Sequence, residues 1–129
     1  MTGIARLSLT ALDCPDPLAL AAFYSALTGW PLDASEEEIA ALPEVRWVTL
    51  RSDVGATIAF QRVPDYRPPV WPGSEMPQQL HLDFDVPDLD AAEAQVVALG
   101  ATKAEVQPGQ DFRVFLDPVG HPFCLVLAE

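Results

Sequence analysis

Cationic side chains are scarce in this sequence. Seven lysines and arginines stand against nineteen aspartates and glutamates, a formal net charge of −12 over 129 residues. Phosphate recognition relies on clustered Lys and Arg, so nucleic acid and anionic membrane surfaces are excluded as partners. No apolar run approaches the roughly 20 residues that cross a bilayer. The opening Met1-Thr-Gly-Ile-Ala-Arg6 has too little charge and too short an apolar run for a signal peptide. The expectation is a cytoplasmic protein. Cysteine is limited to Cys14 and Cys124, far apart and each in an apolar setting, which reads as two buried thiols rather than a disulfide. The sequence has no phosphate loop, dinucleotide fingerprint, Cys-x-x-Cys pair or serine nucleophile motif. These gaps remove large classes of enzyme.

What is present begins with a hydrophobic half of the composition, enough for one ordinary domain that buries about two thirds of its unfolded surface. Within it the stretch Gln78-Gln-Leu-His-Leu-Asp-Phe-Asp-Val86 alternates apolar and polar residues, as a strand does. A Pro-Asp pair and an Ala-rich helical run follow. The same design occurs 72 positions earlier: Asp13, Pro15 and Asp16 fall on Asp85, Pro87 and Asp88, and the helical runs end near Gly29 and Gly100. Such a repeat predicts two copies of one module rather than an array.

The first module reads as a strand over 6–13, a helix over 17–28 with Leu20, Phe23, Tyr24 and Leu27 as its buried stripe, and strands over 45–51 and 56–63. Ser35 caps a short acidic helix between them. The second reads as a strand over 79–86, a helix over 88–99, then strands over 102–106, 111–116 and 122–127, with a turn at 117–120. Prolines concentrate in 64–77, which cannot be a helix or inner strand. That segment links modules of about 4–63 and 78–129, either as a stiff crossing loop or as one whose aromatics cover a cleft.

Several side chains are candidates for chemistry. His81 and Asp83 share a strand face roughly 7 Å apart along the chain, within reach of each other through rotamers or a water. They read as a general base with its orienting carboxylate, or as a structural pair. Arg113 alternates with Phe112 and Val114, and either clamps a ligand carboxylate in the cleft or pairs with one of the chain's own acids. Trp47 and Trp71 offer aromatic walls for a ligand, with core packing and loop anchoring as the simpler readings. His121, in a Gly-His-Pro turn, reads as exposed.

Leu12-Asp-Cys-Pro-Asp-Pro17 with Ala22-Phe-Tyr24, Leu80-His-Leu-Asp83 with Val86-Pro-Asp-Leu-Asp90, Leu99-Gly-Ala101, Asp111-Phe-Arg-Val114 and Asp117-Pro-Val-Gly-His-Pro-Phe-Cys-Leu125 come in a telling order. Through them nearly the whole chain resembles the glyoxalase-like domains of the vicinal oxygen chelate (glyoxalase/bleomycin resistance/dioxygenase) superfamily. The resemblance implies an α+β fold in which two βαβββ modules form a curved, cup-like mixed sheet with helices on its convex face. It further implies a homodimer and a small organic ligand in the cup. The reaction would be that of a lyase, isomerase or dioxygenase relative; the alternative is a non-enzymatic, drug-sequestering protein of bleomycin-resistance type. A divalent metal ion, where the family uses one, is held from four strands. Carried over position by position, the ligands are Gln61, His81 and Cys124, because Leu9 replaces the first-strand ligand and Cys124 stands where glutamate is usual. Asp83 and Glu129 are possible substitutes. The implied site is degenerate and any ion weakly bound, and whether the chain is an enzyme stays open.

Overall fold

A computed structural model describes residues 3–4, 7–55 and 57–128. The chain separates into two compact units, Met1–Tyr66 and Arg67–Glu129. Each is α+β with its own open, mixed sheet.

In the first unit, strand β1 (Leu9–Cys14) leads into helix α1 (Pro17–Thr28), short helix α2 (Glu36–Ala40) and strands β2 (Trp47–Leu50) and β3 (Thr57–Arg62). The sheet order is β1-β3-β2, with β1 parallel and β2 antiparallel to β3. Asp16, extended at φ −137°, caps α1 by accepting the Ala19 N–H, and Pro17 takes the first turn, where a missing N–H is harmless. Gly29 ends the helix at φ 79°, a left-handed conformation that favours glycine. The expected stripe is buried at Leu20, Phe23 and Tyr24, with Leu27 half-buried. Tyr24 stacks on Phe60 of β3 at 5.6 Å. Ser35 and Glu38 form a reciprocal capping box on α2. Beyond β2 the fourth strand of the module is reduced to a single antiparallel bridge between Leu32 and Leu50. Pro31 beside it has no N–H with which to lengthen the ladder.

The second unit holds β4 (Leu82–Val86), α3 (Leu89–Ala98), β5 (Thr102–Lys103), β6 (Phe112–Leu116) and β7 (Pro122–Leu127), in sheet order β4-β7-β6-β5. Again the first strand runs parallel to the last, and the others pair antiparallel. Asp88 caps α3 through the Ala91 N–H, the counterpart, 72 positions on, of Asp16 and Ala19. Helix α3 buries Leu89, Ala92 and Val96. On one face of the sheet Phe123 stacks on Phe115 at 5.7 Å and meets Phe84 edge-on at 6.1 Å. The other face carries Val114, Cys124 and Ala104, with Trp71, Phe112 and Val126 against them.

Three expectations change. The strand over 79–86 begins only at Leu82, so His81 precedes it; continuing the β4–β7 register back one step sets His81 opposite Pro122, which has no N–H to give. The strand over 102–106 stops at Lys103 because the Gln107 side chain takes its place: Nε2 donates to the carbonyls of Ala104 and Val114, and Oε1 accepts the Val114 N–H. His121 is half-buried rather than exposed, its N–H donating to the buried carboxylate of Asp117 that also holds the turn through Val119.

Candidate functional site

Strand alternation builds the site. On β4, Asp83 points away from the face that Leu82, Phe84 and Val86 share, and its register partner on β7 is Cys124. On β6, Phe112 and Val114 take that same side, Val114 opposite Cys124. Together with Trp71 and Val126 they wall a hollow of about 450 Å³ in the second unit, within the range of roughly 300–1,000 Å³ usual for small-molecule sites. Its polar groups are Gln78, His81 and Asp83.

His81 Nε2 lies 3.2 Å from Asp83 Oδ1, a direct contact rather than one bridged by water. Both side chains are partly open to solvent, at 44% and 57%. Cys124 is buried, 8% exposed. Burial pushes its thiol up to about 11, and the nearby Asp83 charge and a hydrogen bond to Asp83 add to the rise. Donor atoms of His81, Asp83 and Cys124 all fall within 4.8 Å of one another. Imidazole, carboxylate and thiol suit a zinc-type ion, whereas magnesium or manganese prefers oxygen donors, so the divalent group implied by resemblance fits here in that form.

Trp71 belongs to the segment read as a linker, yet within the second unit it packs on the sheet and lines the hollow. Arg113 does not face the hollow. It alternates out of the Phe112–Val114 face and reaches α3, 2.8 Å from Asp90 and 3.2 Å from Glu93. The hydrogen bond to Asp90 is the largest cause pushing its guanidinium further up, and the two carboxylate charges act the same way. Gln61 and Trp47 are register partners on β3 and β2 of the first unit, and both are exposed. Trp47, with Asp33, Glu38 and Leu42, lines a second hollow of about 440 Å³ there, its indole N–H donating to Thr49. Leu9 is half-buried on β1, beside Thr57. Glu129 lies outside the described residues.

Gln78 was not singled out from sequence, nor were Phe112 and Val126 as walls. Its Oε1 is buried with no hydrogen-bond partner among the described residues. The one signal is position: a Gln directly after Pro77, leading into the alternating run that carries His81.

Comparison with known proteins agrees with this architecture. No curated protein matches the chain. Its fold is similar to a glyoxalase/bleomycin resistance protein/dioxygenase family enzyme of Burkholderia phytofirmans PsJN, at 20% identity and a TM-score of 0.67 over 94% of this chain and 97% of that one. A glyoxalase/bleomycin resistance protein of Albidiferax ferrireducens T118 is 22% identical, with a TM-score of 0.59 over 95% and 98%. The fosfomycin resistance protein FosX of Mesorhizobium loti is 15% identical, with a TM-score of 0.69 over 98% and 94%. The family model described as "glyoxalase-like domain" matches residues 10–126. With the two repeated modules and the similar folds, that match means the chain belongs to the glyoxalase-like domain family of the vicinal oxygen chelate superfamily.

Proposed function

We propose that the hollow of the second module binds a small organic molecule with a flat apolar body and a hydrogen-bond donor. The observation that carries this reading is the buried, unpartnered Oε1 of Gln78 at the hollow. A buried acceptor left alone costs about 1–3 kcal/mol, which a ligand N–H or O–H recovers. Trp71 and Phe112 offer the body of the ligand an aromatic wall. At the polar end, the His81 imidazole lies with Nε2 3.2 Å from Asp83 Oδ1, a neighbour that can orient it as a general base. On this reading the protein is a lyase, isomerase or dioxygenase relative working in the cytoplasm. A divalent ion, when bound by His81, Asp83 and Cys124, supplies Lewis-acid polarisation of a ligand oxygen; the imidazole serves as a base only in the ion-free form. The family resemblance supports a homodimer, which light scattering at twice the monomer mass would bear out.

The net charge of −12 favours a second reading, sequestration of a cationic drug. Fosfomycin itself is a poor candidate for the ion-free hollow, since none of the described lining residues is a lysine or arginine and Asp83 is among them. The experiment is a thermal-shift and calorimetric panel of aromatic amines, cationic glycopeptide drugs, methylglyoxal–thiol adducts and fosfomycin. Binders are expected among the first three, and Gln78→Leu should weaken them about 2–10-fold, as loss of one hydrogen bond does. Turnover of the adducts would mark an enzyme, and a drug held unchanged would mark sequestration. Binding indifferent to both Gln78→Leu and Trp71→Ala would overturn the assignment of the hollow.

A further inference from the structure

Taking the hollow of the second module as the ligand site proposed above, we infer that Gly109 is its positioning residue: it seats the Phe112 ring so that a planar ligand broader than one ring fits beside it. Gly109 lacks the positive φ found at Gly29, Gly55, Gly73, Gly100 and Gly120, so backbone conformation does not call for glycine here. Space does. A Cβ at this position would overlap Phe112 Cε1 and stand 2.8 Å from Cδ1 and Cζ, where carbons in contact keep about 3.5–4.0 Å. The edge of the ring therefore lies directly against the Gly109 backbone, and the same side chain borders the hollow.

A side chain at 109 would force either the loop or the ring to yield, and the loop is tied at both ends. On one side the Gln107 amide holds the Ala104 carbonyl and both backbone groups of Val114. On the other the Leu127 N–H donates to the Asp111 carbonyl at 2.8 Å. The ring is held less firmly. Phe112 is half-buried on β6, beside the cluster of Ala104, Val114 and Cys124, and rotation about its two side-chain bonds moves it. Driven off Gly109, it enters the space that it now walls, and the hollow narrows. Glycine at 109 thus selects for breadth of ligand through Phe112, with no contact of its own to supply.

The test titrates the full chain by calorimetry with aniline, 6-aminoquinoline and 9-aminoacridine, flat amines of increasing breadth. The parent should take all of them. Gly109→Ala should keep aniline within about 2-fold and lose about 10–100-fold on 9-aminoacridine, the range that overpacking a wall costs. Phe112→Val ends at its γ carbons and so removes every ring atom named above. Adding Gly109→Ala to Phe112→Val should leave the affinities and the urea midpoint where Phe112→Val alone puts them. That pair decides the matter even where Gly109→Ala by itself does not fold. A Gly109→Ala protein that ranks the amines as the parent does, or a loss that persists in the Phe112→Val background, would overturn the role of Gly109 and leave the ligand site standing. A parent that binds none of the amines would overturn the ligand site and the role of Gly109 with it.

Discussion

At Cys124 one buried thiol shares a carboxylate with an imidazole. Below about pH 9 the thiol is protonated in folded and unfolded chains alike, so it does not tilt the balance between them. Above that the unfolded chain ionises first, while burial and Asp83 keep the folded thiol protonated up to about 11. Stability is therefore present below pH 9 and lost as pH climbs from about 9 to 11. Denaturant melts of metal-free protein at pH 8 and 10.5 should show that decline, and Cys124→Ala should show less of it. Arg113 teaches a different lesson. Its alternation with Phe112 and Val114 is plain in sequence, but β6 is apolar on both faces, so alternation alone does not say which face meets the helix. The acids Asp90 and Glu93, three apart on α3, are the deciding signal, because i, i+3 residues share a helix face.

Elements were legible wherever their cause is local. The Pro-Asp pairs 72 residues apart mark two helix starts because a cap needs only its own next turn, and Asp16 and Asp88 make the same bond three residues on. Replacing either aspartate with alanine should cost about 0.5–2 kcal/mol, measured by urea denaturation. Equal losses at the two sites would bear out their equivalence. What was not legible depends on distant partners. The start of β4 follows from Pro122, about forty positions later in the chain, and the end of β5 from the side chain of Gln107. On the helix-facing side of the sheet, Phe123 sits against both Phe84 and Phe115 with no exposed surface. Phe123→Ala should cost about 3–5 kcal/mol in the same melts.

For the molecule as a whole, the repeat predicted two α+β modules, and each has its helix on one face of a mixed sheet. Which side chains converge within the second module was not visible. Leu9 and Gln61 lie in the first module, whereas His81, Asp83 and Cys124 come from the second alone. A pattern read by repeat alignment treats both halves as donors, and only the strand register shows Asp83 beside Cys124. The amide of Gln107 has one more effect. Its Oε1 takes the N–H of Val114 and its Nε2 shares the Val114 C=O with the Ala104 N–H, so it continues the cover of β6 just past two-residue β5. An uncovered strand border is a template for another chain, so Gln107→Ala should cloud on heating at protein concentrations where the parent stays clear, with turbidity as the readout. Such clouding would mark the Gln107 amide as the cap on that border.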